Sequence, residues 1–94
     1  LIERVLAWGE ARHIDNMWSQ ASKVTEEWGE TVSEMNHNRF GAELEDGIGD
    51  TLVSLIIYAH ICGKDVKKCL EDALNEIENR KGTTIDGNFV KEVG

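Results

Sequence analysis

Between Met17 and Met35 the apolar residues Met17, Ala21, Val24, Trp28, Val32 and Met35 return at spacings of three and four, the period of one face of an α-helix. Held in one register over about five turns, that period is incompatible with the two-residue alternation of a half-buried strand. The chain contains no proline, and its glycines lie mostly between periodic segments. Each segment can therefore run as an unbroken helix, with glycine, asparagine or aspartate as punctuation. The expected fold class is all-α.

Three further helices are expected around this one. In residues 1–12, Ile2, Val5, Leu6 and Gly9 share a face; His13-Ile14-Asp15-Asn16 then breaks the pattern, with Asp15 or Asn16 available as N-cap. The second helix should end at Asn36-His37-Asn38, and Asn38 is also a candidate cap for the third, over residues 40–61. Gly63 suits a C′ position and Asp65 an N-cap, so a fourth helix is expected over residues 66–81, burying Val66, Leu70, Ala73 and Ile77. Residues 83–94 read as an irregular or hairpin-like tail that turns at Asp86-Gly87 and is anchored by Ile85, Phe89 and Val90. With 94 residues the chain is one domain over residues 1–94, a four-helix bundle-like protomer. A domain of this size buries only about 60–65% of its unfolded surface, so oligomerisation is expected to complete it.

Charge and composition narrow the function. The formal net charge is −8 and the pI about 4.7, so nucleic acid would be repelled and is not an expected partner. The longest apolar run, residues 52–61, is interrupted by Ser54, Tyr58 and His60 and is too short to span a membrane. With Leu1 as first residue the chain is expected to lack its natural start. Cys62 and Cys69 are expected as half-buried thiols: zinc asks for four ligands, and His60 nearby makes only three. The reducing cytoplasm is the expected location. His13, His37 and His60 show no ligand-like spacing.

Chemistry is concentrated in two acidic clusters. On the second helix Glu26, Glu27 and Glu30 fall at 0°, about 100° and about 40° around the axis, within one arc. Gln20, Lys23, Glu27, Glu30 and Glu34 form a line beside the apolar stripe. On the third, Asp46, Asp50, Val53 and Ile57 follow one helical line, which turns apolar one turn after Asp50. A short connection favours antiparallel packing, and both clusters then converge on one volume. Glutamate-rich helix faces are ordinarily solvated. Here a second cluster joins a core stripe, and Gly47 and Gly49 each cost about 1 kcal/mol inside a helix, which calls for close backbone packing beside the acids. Carboxylates so placed repel one another, and a divalent cation removes the conflict. Oxygen-only ligands favour Mg²⁺ or Mn²⁺, which would neutralise substrate phosphates and lower the pKa of an attacking water. Phosphoanhydride hydrolysis is the chemistry that follows.

At these residues the chain resembles the MazG-like proteins of the all-alpha nucleoside triphosphate pyrophosphatase superfamily, in their compact phage and bacterial form. Their pattern is EE-x-x-E, then E-x-x-D on the next helix. Lys23-Val24-Thr25-Glu26-Glu27-Trp28-Gly29-Glu30 matches the first half, and Asp50 within Ile48-Gly49-Asp50-Thr51-Leu52 takes the last position of the second. The position three residues earlier is Gly47, so the ligand role there passes to Asp46. The resemblance runs from Glu10-Ala11-Arg12 through Arg80-Lys81-Gly82 to Asn88-Phe89-Val90-Lys91.

The resemblance implies Mg²⁺-dependent hydrolysis of a nucleoside triphosphate to a (deoxy)nucleoside monophosphate and pyrophosphate, in a homodimer or homotetramer. It makes Glu26, Glu27, Glu30, Asp46 and Asp50 the metal shell, Glu27 or Glu30 the water-activating group, and Lys23, Arg80 and Lys81 phosphate contacts. For the base, Trp18 is the preferred stacking residue over Trp8 and Trp28, the last being a core residue; Asn16, Gln20 and Asn75 are candidates to read base or ribose. Two alternatives stay open: a pyrophosphohydrolase specific for dUTP, a modified nucleotide or ppGpp, and, prompted by Gly47, a non-catalytic metal-stabilised helical module.

Overall fold

A computed structural model describes residues 1–92; Val93 and Gly94, the end of the expected tail, lie outside the described residues. The chain order is α1 (Ile2–Ala11), α2 (Met17–Asn36), α3 (Ala42–Ile61), α4 (Val66–Glu78), β1 (Gly82–Ile85) and β2 (Asn88–Lys91). The protein is all-α apart from this terminal hairpin. No described helix is long and apolar enough to cross a membrane.

Local chemistry sets the helix ends. Asn16 caps α2, its side-chain oxygen accepting from the Ser19 amide at 3.0 Å. Asp65 caps α4, accepting from the Lys67 and Lys68 amides at 3.0 and 3.3 Å. Both caps satisfy orphan donors of a first turn. Three helices end alike, on a residue of positive φ: His13 (57°), Asn38 (58°) and Gly63 (72°). At Gly63 the Lys64 amide donates to Ala59 O and the Gly63 amide to His60 O, both at 2.9 Å, which is a Schellman closure. Asn38 is used up in ending α2, so Gly41, with no side-chain cap, precedes α3. The tail is a regular antiparallel hairpin pairing Gly82 with Lys91 and Ile85 with Asn88. Its two-residue turn, Asp86 (φ 50°) and Gly87 (φ 76°), has the doubly left-handed form that matches strand twist.

Packing is dominated by α2 against α3, with α1 laid on α3; α4 touches only α3, and the hairpin pairs only with itself. Ile57, 4% exposed, is the one large apolar side chain fully buried among the described residues. α1 crosses it at Gly9, where a Cβ would stand 3.3 Å from the Ile57 side chain. His60 Nε2, 2.9 Å from Glu10 Oε1, adds a polar tie between α1 and α3.

The seam between α2 and α3 is small and polar. Thr31 is buried with its hydroxyl donating to Glu27 O at 2.8 Å, and the buried Gln20 donates through Nε2 to Ser54 O at 3.0 Å. The expected burial of the α2 stripe is corrected here. Ala21, Val24 and Val32 are half-buried, but Met17, Trp28 and Met35 are exposed. The helix has turned so that Gln20, Glu27 and Thr31 face α3, because glycine at 47 lets the backbones approach over Thr31. The α4 stripe is corrected as well: Leu70, Ala73 and Ile77 are exposed, since α4 leaves α3 at the Gly63 turn and meets no other element.

Candidate functional site

An antiparallel helix pair with a small seam shows its two polar flanks to the same side. α2 contributes Ser19, Gln20, Lys23 and Glu27, one helical line; α3 contributes Asp50, Val53, Ser54 and Ile57, another. With Trp8 of α1 and the connection His13 to Asn16, they line a cavity of about 600 Å³. Its walls are apolar at Trp8, Ile14, Val53 and Ile57, and its acids are Asp15, Glu27 and Asp50.

Glu27 is the most enclosed of the glutamate trio. Its side chain is 13% exposed, and Lys23 Nζ lies 2.9 Å from its Oε1. That hydrogen bond and the Glu27 charge, then the charge of Glu26 and, more weakly, of Glu30, raise the Lys23 pKa above its ordinary value. Three carboxylates thus act on one ammonium. Lys23 marks where negative potential from the α2 cluster converges, one turn from the cavity residue Gln20.

Of the acids singled out in the sequence, Glu27, half-buried, and Asp50, exposed, share this cavity, whereas Glu26, Glu30 and Asp46, all exposed, do not line it. No three His, Cys, Asp or Glu side chains among the described residues stand close enough together to hold a metal ion. The donor type nevertheless fits a hard divalent cation: Glu27 and Asp50 bring carboxylate oxygens to the cavity from two helices, with the Lys23 ammonium paired to Glu27. Gly47 explains its own departure from the acidic pattern. A Cβ there would collide with the Thr31 hydroxyl, so the seam excludes any side chain. Gly49 has open space around it, and nothing in the structure explains it.

The remaining candidates divide. Asn16 and Gln20 line the cavity, but Asn16 Oδ1 is engaged as the α2 cap and Gln20 Nε2 by Ser54 O. Trp18 is 80% exposed and does not line it; Trp8 does. The Arg12 guanidinium stacks on Trp8, 4.2 Å from the ring centroid, and its Nη1 donates to Trp8 O at 3.1 Å. The signal available in sequence was the i, i+4 pair Trp8–Arg12 just before the break that opens the cavity. Arg80 and Lys81 line a separate depression with the hairpin, Arg80 pairs with Glu76 at 3.2 Å, and Asn75 O accepts from Asn79. Since α4 makes no contact with α2, none of these three joins the cavity within one protomer. Cys62 and Cys69 are both free.

Fold and site together define an all-α protein with an acidic cavity between an antiparallel helix pair and a third helix. The family model of the MazG nucleotide pyrophosphohydrolase domain matches residues 17–83, from the start of α2 into β1, and the chain belongs to that family. Membership supports nucleotide pyrophosphohydrolase activity. No curated protein and no solved structure matches the chain.

Proposed function

We propose that the chain is a Mg²⁺-dependent nucleoside triphosphate pyrophosphohydrolase that releases pyrophosphate and a (deoxy)nucleoside monophosphate, with Mn²⁺ able to replace Mg²⁺. The observation that carries this reading is the shared cavity of Glu27 and Asp50, about 600 Å³ in volume with an aromatic wall at Trp8, in a chain of the MazG family. That volume is in the range of small-molecule sites.

Glu27 and Asp50 would hold the cation in the cavity, with Glu26, Glu30 and Asp46 as further carboxylates at its margin. Bound there, it supplies neutralisation of phosphate charge and acidification of a water, both needed in a chain of net charge −8. A carboxylate left free of the cation, Glu27 in the cavity or Glu30 three residues on, accepts the proton of the attacking water. The oxygen of that water bonds to the phosphorus on one side of the α–β bridge as the bridging P–O bond breaks, the bridging oxygen and the electron pair leaving with the other fragment, so that monophosphate and pyrophosphate are the products. Lys23 is within reach to exchange its Glu27 partner for a phosphate oxygen. Trp8 stacks on the base, and Gln20, its Nε2 fixed by Ser54, offers Oε1 to a base or ribose donor. Arg80, Lys81 and Asn75 have no part in the cavity of a single protomer.

The proposal includes a homodimer or homotetramer, supported by the many large apolar side chains on the protomer surface. A cytoplasmic location is supported by two free thiols. The test is a panel of nucleoside triphosphates, including dUTP and modified bases, and ppGpp, with Mg²⁺ or Mn²⁺ and product identification. Monophosphate with pyrophosphate is expected; diphosphate with orthophosphate, or no turnover of any substrate, refutes it.

A further inference from the structure

Gly9 brings no side chain to the point where α1 crosses α3, and a Cβ there would stand 3.3 Å from the Ile57 side chain. Among the described elements α1 packs on α3 alone. It is held by this crossing, by the half-buried Ile2, Val5 and Leu6, and by one polar contact across the seam, Glu10 Oε1 to His60 Nε2 at 2.9 Å.

Successive residues of a helix lie about 100° apart, so Trp8 and Glu10 project to opposite flanks of the Gly9 crossing. Trp8 lines the cavity of Glu27 and Asp50. Glu10 lines a second depression, about 310 Å³ in volume, with His13, Asp15 and His60. A crossing made through glycine has no side chain there to stop α1 rolling about its own axis. Because both residues ride on one helix, a roll that draws Glu10 away from His60 turns Trp8 at the cavity through the same angle.

The strength of the contact depends on a proton. Glu10 lies in the last turn of α1 and His60 in the last turn of α3, so two helix ends of negative polarity and a carboxylate meet at one imidazole. A neutral ring can donate one hydrogen bond to Glu10, and the imidazolium adds a charge opposite to all three. Histidine is the side chain that ordinarily makes this change between about pH 5 and 8. The other charged or titratable groups lining the two depressions beside His60 are Glu3 of α1, His13 and Asp15 of the α1–α2 connection, Lys64 and Asp65 after α3, and Lys67 of α4; α2 contributes none. Glu10 is the one that hydrogen-bonds His60 among the described residues.

We infer that Glu10 and His60 are a positioning pair for the base wall: their contact sets the roll of α1 over Ile57, and with it the plane of Trp8, and a proton on His60 tightens it. The inference rests on the reading of this cavity as the nucleotide site. Neither residue touches the substrate, and both act through Trp8.

Steady-state kinetics of the parent, Glu10→Gln and His60→Gln at about pH 6 and about pH 8.5, either side of ordinary histidine titration, is the first test. An exposed ion pair shifts an equilibrium by up to about five-fold. At the lower pH each variant should therefore raise KM for nucleotide about two- to five-fold over the parent, with kcat and melting temperature little changed. At the higher pH the difference should shrink. His60→Arg, which keeps a cation at both pH values, should hold the low KM at both. A KM ratio that is the same at both pH values, a loss in kcat rather than KM, or H60R behaving as H60Q overturns the inference.

The second test needs no nucleotide. Trp18→Phe with Trp28→Phe, both at exposed positions, leaves Trp8 as the sole tryptophan. Its fluorescence anisotropy should be higher at the lower pH, and Glu10→Gln in the same background should remove the difference while His13 and His60 stay in place. An anisotropy indifferent to pH, or a pH response that survives E10Q, overturns the inference whatever the protein hydrolyses. A response lost in E10Q, in a protein that turns over no nucleotide, supports the coupling of Glu10 and His60 to Trp8 and counts against the hydrolase reading alone.

Discussion

Thr31 stands against Gly47 across the α2–α3 seam, so close that a Cβ on residue 47 would collide with the threonine hydroxyl and lie 3.1 Å from its Cβ and Cγ2. Two effects compete when alanine replaces the glycine. Helix propensity favours alanine by about 1 kcal/mol, while overpacking a close seam costs about 1–3 kcal/mol. Thr31 is 1% exposed and hydrogen-bonded to Glu27 O, so it has little freedom to move and overpacking should win. Gly47→Ala is expected to lower the melting temperature by several degrees, and Gly47→Glu, which restores the family's acid, by more. Adding Thr31→Ala should recover most of the G47A loss. If G47A melts above the parent protein, the seam is looser than this geometry states.

Asp50 and Glu27 are the two acids that α3 and α2 bring to one cavity. Neither supports the fold through a protein partner on the opposite helix: Glu27 pairs with Lys23 of its own helix. Asp50→Asn and Glu27→Gln should therefore leave far-ultraviolet circular dichroism unchanged and cut pyrophosphate release by about 100-fold or more, the scale of losing a positioned acid–base group. Glu26→Gln, outside the cavity, should cost less. Equal losses for all three would mean that the cavity does not distinguish the reacting groups.

Lys23 gives a pH expectation with a definite sign. Its pKa is raised, first by the hydrogen bond and charge of Glu27 and then by Glu26 and Glu30. A raised lysine pKa contributes stability that is complete below the unfolded value near 10.5 and is lost as pH rises through the folded value. Lys23 is thus charged at every pH below its ordinary value of 10.5, and a change of activity near neutral pH does not come from its titration. A divalent cation must compete with this ammonium for Glu27. Lys23→Met should bind Mg²⁺ or Mn²⁺ several-fold more tightly by calorimetry without nucleotide, yet show a higher KM for nucleotide. Weaker cation binding by K23M would exclude the competition.

Periodicity and punctuation made the helices legible. The stripe from Met17 to Met35 sets the length of α2 and Asn16 caps its start, while Gly63, free to take a positive φ, ends α3 and the Asp65 carboxylate caps α4. The apolar stripe did not reveal which face of α2 meets α3, because the side chains at the contact are Gln20, Glu27 and Thr31, and Gly47 is what admits them. A contact made through a missing side chain leaves no hydrophobic signature. Gly47 was recognisable as a close approach, though not as one over Thr31. The convergence of Glu27 with Asp50 followed from antiparallel packing, whereas the cavity also needs α1, whose placement turns on Gly9 meeting Ile57. The stripe of α4 has the spacing of a buried face, and spacing alone does not say whether the covering element belongs to the same chain.

Trp8 and Trp18 offer the sharpest distinction between the two. Trp18 is 80% exposed on α2, away from the cavity, and replacing it with alanine should leave KM and kcat within about twofold, as at a free surface position. Trp8 lines the cavity while Arg12 stacks on its ring at 4.2 Å, a cation–π contact that fixes the ring plane at little entropic cost. Stacking of a base on an aromatic ring is worth about 1–3 kcal/mol, so Trp8→Ala should raise KM by roughly ten-fold or more while kcat changes little. Trp8→Phe should restore much of it. Arg12→Ala removes the support and not the platform, and its effect on KM should be smaller and in the same direction. Steady-state kinetics on the four variants separates these cases, and a KM increase confined to Trp18→Ala would move the base site out of the cavity and onto the outer face of α2.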